Sequence, residues 1–363
     1  MSSVPALTFD IEDPCIVDLF AGPGGLDVAA HWLGVPVVGV EWDANACATR
    51  ERAGLQTLSR DVRDLGHWNF PSANVLAGGP PCQTFTVAGS GSGRRALAVV
   101  LTLVEMLGDK KYTEVKDVLS RMGDERTGLV LEPLRWALQA WDDEQPYQAI
   151  VLEQVPAVEL VWKAFKPVLE SRGYRVCVNV VRTEQFGVPQ TRRRAILIAR
   201  LGAEVSLPEA THREYRKGAA RGEGDESKLP WVTMKDALGR GNFEVISNYG
   251  TGGIPSARGR RTADQPAFTV TGKISRNRVV EGNGTVGRFA IAEAGQLQTF
   301  PADYPWSERD TAQQIGNAIP PRLAAHVLAA ALGAGRLEED FLNQAVKGSW
   351  KTQRSGARVP VSA

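Results

Sequence analysis

The sequence predicts an α/β fold built on a parallel sheet, with a smaller, loop-rich module set into the chain. Three observations predict it. Short Val- and Ile-rich runs that do not alternate with polar residues read as strands buried on both faces. Stretches with helical spacing of apolar residues separate them, as crossover helices between parallel strands require. The first run also enters a glycine-rich turn directly, the usual opening of a ligand-binding βα unit.

The expected strands are Cys15–Phe20, Val37–Glu41, Asn74–Ala77, Ala149–Leu152, Arg175–Val181 and Ala195–Ala199. Between them, the helical pattern Leu26–Leu33 stops at Gly34, where a left-handed cap is accessible to glycine. Val158, Trp162, Phe165 and Leu169 fall on one helical face and should cover the sheet. From Glu204 to Arg261 periodicity fades and charged or glycine-rich stretches take over until Trp231–Leu238, so this region reads as the separate module. Helical character returns at Ile291–Phe300 and at Arg322–Leu332, the latter entered by Pro320 and Pro321 and ended by Gly333. From about Lys347 the tail is polar and is expected to be flexible.

Composition narrows the function less than the order of elements does. With 363 residues and 43% hydrophobic content, the chain can bury a large core and an appended smaller one. A formal net charge of only +1 means that a nucleic-acid partner must be argued from local basic clusters. Cys15, Cys47, Cys82 and Cys177 lie far apart without a Cys-x-x-Cys pair, so no zinc site is expected and a reduced, cytoplasmic setting fits. No signal segment or membrane span is expected either.

Two constellations carry chemistry. At the end of the first strand stands Phe20-Ala21-Gly22-Pro23-Gly24-Gly25, and about twenty residues on the second strand ends in Glu41-Trp42-Asp43. Glycine lets backbone approach a ligand closely, a carboxylate accepts both hydroxyls of a ribose, and an indole covers an adenine face. Asp61 could accept from an adenine amino group, with a helix N-cap as the plain alternative. The third strand leads into Gly78-Gly79-Pro80-Pro81-Cys82-Gln83, a stiff loop presenting a thiol at the carboxyl edge of the sheet, where ligands of open α/β folds bind.

These residues resemble the motifs of C5-cytosine DNA methyltransferases. Gly79-Pro80-Pro81-Cys82-Gln83 with Phe85 resembles the catalytic motif, Phe20–Gly25 the first cofactor motif and Glu41-Trp42-Asp43 the second. Glu153-Gln154-Val155 is similar to the family's Glu-Asn-Val, with Gln154 in place of Asn, and Gln190-Thr191-Arg192-Arg193-Arg194 to its Gln-x-Arg-x-Arg. Gln298-Thr299-Phe300-Pro301 and Gln314–Pro320 resemble the closing motifs, so the likeness runs from Ile16 to Leu332 in family order.

The resemblance implies a Rossmann-like S-adenosylmethionine-dependent methyltransferase core with a smaller target-recognition domain. Residues 1–200 would form the catalytic and cofactor-binding domain, 201–288 the target-recognition region and 289–335 a segment returning to the catalytic domain, with 336–363 the flexible tail. It implies methyl transfer to C5 of cytosine in a specific duplex sequence, through base flipping and a covalent bond from Cys82 to C6. Glu153 would hold N3 and the 4-amino group, in a pocket dry enough to favour proton sharing. Arg194 would contact the base and Arg192 a phosphate or sugar.

S-adenosylmethionine would rest on Phe20, Gly22, Gly24, Gly25, Glu41, Trp42, Asp61, Val62, Pro80 and Asn317, without a metal. Gln83, Arg258, Arg260, Arg261, Lys273, Arg276 and Arg278 would meet DNA, each basic residue standing about evenly between a contact and a solvated surface. The segment Gly89–Arg126 is long for the family, and the recognition stretch before Asp264 is short, which points to a short target or a helping partner. A monomer associated with the nucleoid follows, with a cognate restriction endonuclease acting on the same site without a stable complex. Two alternatives are a tRNA C5-cytosine methyltransferase, whose Cys-Phe-Thr signature is absent from the recognition region, and a catalytically silent DNA-binding regulator.

Overall fold

The computed structural model describes residues 7–81, 91–121, 125–248, 254, 257–353 and 358–362. In chain order its elements begin β1 (Ile16–Leu19), α1 (Gly25–Trp32), β2 (Val37–Glu41), α2 (Ala44–Ala53), β3 (Thr57–Ser59), β4 (Val75–Gly78), α3 (Gly91–Gly108) and α4 (Tyr112–Ser120). They continue with α5 (Glu132–Asp142), β5 (Ala149–Gln154), α6 (Glu159–Glu170), β6 (Tyr174–Arg182) and β7 (Arg193–Leu201). Strands β1 to β7 form a seven-stranded sheet in the order β3-β2-β1-β4-β5-β7-β6.

Strand β1 pairs in parallel with both β2 and β4, which makes the crevice between their carboxyl ends the point where strand order reverses. Ligands of open α/β sheets bind at such a point. All six expected strands are present, but one direction differs from the expected parallel sheet. Strand β7 runs antiparallel to β5 and to β6. The residues between β6 and β7 hold a short 3-10 turn, Thr183–Phe186, rather than a crossover helix, and a return without a crossover must be antiparallel.

Alternate residues of each central strand enter different cores, as the two-residue period dictates. Val17, Leu19, Leu76, Ile150 and Leu152 pack with Trp136 of α5 and with Trp162 and Phe165 of α6. Ile16, Val75, Ala77, Val151 and Ile198 pack beneath α1 and the late helix described next. Val158, Trp162, Phe165 and Leu169 are all buried, as their spacing predicts.

Beyond β7 come α7 (Met234–Leu238), β8 (Phe243–Ile246), β9 (Arg260–Thr262), β10 (Arg278–Glu281) and β11 (Val286–Gly287). Then follow α8 (Ile291–Leu297), α9 (Thr311–Asn317), α10 (Pro321–Leu332), α11 (Glu339–Lys347) and α12 (Trp350–Gln353). Strands β8 to β11 form a separate four-stranded sheet in the order β11-β10-β8-β9, over its own cluster of Phe243, Val245, Val270, Val279 and Phe289. This antiparallel sheet begins inside the expected loop-rich module and runs past its expected end at Arg261. Helix α10 ends at Gly333 in the left-handed conformation and shares the second core with α1, bringing the late part of the chain back to its start.

The tail differs from the flexible segment expected at 336–363. Trp350 is buried and donates from Nε1 to the Ala53 carbonyl at 3.1 Å. Val359 is buried and exchanges hydrogen bonds with the Gln56 amide at 2.6 and 2.8 Å. A polar average concealed the apolar side of α11, where Leu342 and Ala345 are buried, and the anchors Trp350 and Val359. No helix among the described residues is long and apolar enough to cross a membrane, and none of their His, Cys, Asp or Glu side chains cluster as a metal site.

Candidate active site

A cleft of about 520 Å³ joins the glycine turn after β1, the end of β2, the loop after β4, the end of β5 and helix α9. Its first wall is the turn. Gly24 takes φ +99°, and a Cβ there would come within 2.2 Å of Leu55 Cδ1. A Cβ on Gly25 would meet the Ile319 carbonyl at 2.2 Å, so only glycine lets α1 start against the segment leading into α10. Phe20 holds φ +59°, a left-handed conformation that costs a residue with a side chain about 1–3 kcal/mol and collects at ligand sites.

Glu41 shapes this wall. Its Oε2 accepts from Gly22 N at 2.8 Å, and its Oε1 accepts from Trp42 N and Asp43 N, each at 2.8 Å. The carboxylate therefore ties the glycine turn to the end of β2 and keeps one lone-pair site, on Oε2, for a ligand in the cleft it lines. Beneath the turn, fully buried Arg50 makes a two-point ion pair with Asp27 of α1 at 2.6 and 2.8 Å. Arg50 also donates to Thr57 Oγ1 at 2.9 Å, so α1, α2 and β3 hold one another. Asp18, a lone acid in an apolar strand, lines the cleft. Burial first, and the Asp27 charge second, hold its carboxyl well above the usual carboxylate range.

The second wall carries the reactive pair. Glu153 is the last residue but one of β5, and because β7 runs antiparallel its first residues return to that same end. Arg194 Nε thus stands 2.6 Å from Glu153 Oε1, with both side chains about nine-tenths buried. Gln154 donates from Nε2 to the Pro80 carbonyl at 2.7 Å and accepts from Val155 N at 2.6 Å. The Gln154 amide therefore ties the end of β5 to the segment leading to residue 82. Cys82 and Gln83 lie outside the described residues.

Of the expected cofactor residues, Phe20, Gly22, Gly25, Glu41 and Asn317 line the cleft. Gly24 and Pro80 do not line it; Gly24 belongs to the turn, and the Pro80 carbonyl accepts from Gln154. Trp42 is 64% exposed, with the Arg63 guanidinium 5.9 Å from its ring centre. Asp61 makes two local contacts. It caps a short 3-10 turn by accepting from Arg63 N at 2.9 Å and is paired with the Arg63 guanidinium. Burial pushes its pKa up, but those contacts outweigh it and leave the carboxyl below its ordinary range. Val62 is buried, and its carbonyl accepts from Arg135 and Trp136.

Arg192 differs most from expectation. It does not reach out to phosphate or sugar, because its guanidinium is buried and donates to the carbonyls of Val270, Gly316 and Ala318 at 2.9, 2.9 and 3.2 Å. Desolvation, then the neighbouring Arg194 charge, push its pKa down. With buried Gln190, which donates to Leu297 O and accepts from Val270 N, it straps the β6–β7 connection to α9 and to the foot of the small sheet.

The basic residues of the small sheet divide similarly. Arg261 lies 4.7 Å from the Tyr215 ring centre and 4.3 Å from that of Phe268, and donates to Pro266 O and Ala267 O at 2.7 Å each. Arg260 pairs with Glu244 at 2.6 Å. Lys273, Arg276 and Arg278 are exposed, and Arg258 is half-buried.

Asp18, Asp310 and Gln313 also line the cleft and were not among the expected residues. A lone acid within Ile16–Leu19 was the available signal for the first. Nothing local marks the other two, which arrive from the far end of the chain.

The profile of C-5 cytosine-specific DNA methylases matches residues 15–103 and 121–332, leaving out the end of α3 and all of α4. The type II methyltransferase M1.HphI of Haemophilus parahaemolyticus is 28% identical over 357 residues, covering 87% of this chain and 86% of that protein. M.AplI of Arthrospira platensis is 28% identical over 330 residues, covering 88% and 86%. Among solved structures, S. pombe Dnmt2 methyltransferase has a TM-score of 0.58 at 15% identity over 88% of this chain and 98% of that one. Entamoeba histolytica methyltransferase EhMeth has a TM-score of 0.57 at 12% identity, covering 90% and 100%. These two share the fold. The matched profile spans most of the chain in the order of its motifs and of the cleft they build, and the chain belongs to the C-5 cytosine-specific DNA methylase family.

Proposed function

We propose that the cleft brings the methyl donor and a flipped cytosine together, with Cys82 as nucleophile, Glu153 at the N3 edge and Arg194 orienting both. The observation that supports this most directly is the Glu153–Arg194 pair at 2.6 Å in the same cleft as the glycine turn and Glu41. Family membership gives the activity, DNA cytosine-5 methylation, and its cofactor. S-adenosylmethionine supplies an electrophilic methyl group; Glu41 and Trp42 would hold its ribose and adenine. Glycine backbone and acidic side chains around the cleft suit a ligand that carries hydroxyls and a positive sulfonium.

The chain's own residues then act on the base. The Cys82 thiolate would bond to C6 while Glu153 shares a proton with N3, so electron density moves to C5, which would take the methyl group as its bond to the donor sulfur breaks and the neutral thioether departs. Loss of the C5 proton and expulsion of the thiolate restore the aromatic ring. Arg194 keeps the Glu153 carboxylate oriented, and Gln154 holds the loop that carries the thiol. Residues 1–200 with 289–335 would form the catalytic unit and 201–288 the recognition unit, where Lys273, Arg276 and Arg278 are the exposed cations placed to meet DNA. We assign a monomeric enzyme associated with the nucleoid, with a restriction endonuclease reading the same site independently.

Duplex carrying 5-fluorocytosine tests the assignment of the nucleophile. Wild type should accumulate a covalent adduct resistant to denaturation, while Cys82→Ala should form none and still bind cofactor. Methyl transfer by the alanine variant would refute the mechanism. Bisulfite sequencing of DNA from cells expressing the chain identifies the target.

A further inference from the structure

A second cleft, of about 460 Å³, shares Arg194 with the first. Arg182 of β6, Arg193 of β7 and Arg261 of β9 face it, together with Glu184 and Tyr215. Two of the cations are already compensated, Arg194 by Glu153 and Arg182 by Glu214 at 3.3 Å. Arg193 and Arg261 have no carboxylate within ion-pair distance among the described residues, so the cleft is left cationic.

Within this cationic wall sits one acid that the mechanism does not use. Glu184 is 1% exposed, and its Oε2 has no hydrogen-bond partner. Burial is the main influence on it and raises its pKa to about 7, against hydrogen bonds from the amides of Glu184 and Arg192 and the charge of Arg182, with Glu214 pushing the same way as burial. An unpartnered buried oxygen is unfavourable, and a ligand donating or accepting a hydrogen bond in the cleft would relieve it. An ionised carboxylate repels an anion, whereas a protonated carboxyl donates to it.

We propose that this second cleft binds a backbone phosphate of the DNA beside the target nucleotide, with Glu184 protonated in the complex and donating its O–H to a phosphate oxygen. Arg193 and Arg261 balance the phosphate charge. Binding then takes up one proton: Glu184 is already protonated in acid, and the cost of protonating it grows as the pH rises past its value in the free protein. The proposal rests on the reading of the chain as a duplex-DNA enzyme.

Anisotropy with duplex poly(dI-dC) at fixed ionic strength tests it. With a free-protein value of about 7, wild-type affinity should fall about thirtyfold between pH ~6 and pH ~8.5. Glu184→Gln carries a permanent N–H donor and should bind at pH ~8.5 as wild type does at pH ~6, with that pH dependence removed. Calorimetry in buffers of different ionisation enthalpy should show close to one proton taken up by wild type at pH ~8.5 and none by E184Q. Arg193→Ala should lower the salt slope by about 1.

Equal pH dependence in wild type and E184Q would overturn the proposal, as would binding by wild type without proton uptake, a measurement that stands even if E184Q fails to fold. Failure of wild type to bind the duplex at any pH would instead remove the DNA reading beneath it.

Discussion

Replacing Gln154 by alanine should slow methyl transfer while sparing cofactor binding. The side chain holds the Pro80 carbonyl at 2.7 Å and the Val155 amide at 2.6 Å; Pro80 itself is buried, two positions before Cys82. Truncation leaves that carbonyl without its donor, a cost of about 1–3 kcal/mol, and removes a second bond worth about 1 kcal/mol. If the loop escapes this cost by leaving its reactive position, ~1.5–3 kcal/mol appears as lost population of that position. At 1.4 kcal/mol per factor of ten, kcat falls about 10- to 100-fold.

Cofactor affinity should change less than threefold, since Glu41 and the glycine turn are untouched. Single-turnover methylation with tritiated cofactor gives the rate, and calorimetry gives the affinity. Gln154→Asn, with a shorter arm and the same amide, should retain more activity than the alanine variant. A kcat for Gln154→Ala equal to wild type would refute the positioning role, and equal losses of rate and cofactor affinity would place the residue in general folding.

Glu41→Ala should weaken S-adenosylmethionine by more than tenfold, because it removes a ribose acceptor and releases three backbone amides; Trp42→Ala should cost about 1–3 kcal/mol of stacking, and unchanged affinity by calorimetry in both would show the cofactor site to be elsewhere. Burial depresses His212 to about 4 and His326 to about 3. Both stay neutral in the folded protein near pH 5, whereas unfolded histidines charge near 6.5, so this stability is complete above 6.5 and is lost as pH falls toward 4 and 3. The loss should reach ~2 kcal/mol per histidine between pH 7 and pH 5; urea midpoints that do not move over this range would contradict it. Arg276→Ala or Arg278→Ala should either relax one base preference by about 1–3 kcal/mol or lower the salt slope by about 1, and binding curves across salt that match wild type would return both arginines to the solvated surface.

Six strands of the large sheet, the glycine turn, the helix on Val158, Trp162, Phe165 and Leu169, and the order of the chemical motifs were legible in the sequence, whereas short β3 and the strands of the small sheet were not. Each is a local matter: a run of Val and Ile can be buried only as a strand or a packed helix, and a glycine cluster after a strand marks where backbone must come close to something. The direction of a strand and the partner of a charge are not local. Ala195–Ala199 reads the same in either direction; only the antiparallel return of β7 sets Arg194 on Glu153. Arg192 and Arg194 stand two residues apart, yet one is buried on three carbonyls from residues 270 to 318 and the other faces the cleft.

Asp61 caps a turn and pairs with Arg63, a partner two residues away that the sequence did not single out. The tail looked free because most of it is polar, but Trp350 on the Ala53 carbonyl and Val359 on the Gln56 amide dock it. Sequence pattern tells which residues must leave water; which distant groups meet them there is set by how the layers close, and the chemistry of this cleft lies in those long-range meetings.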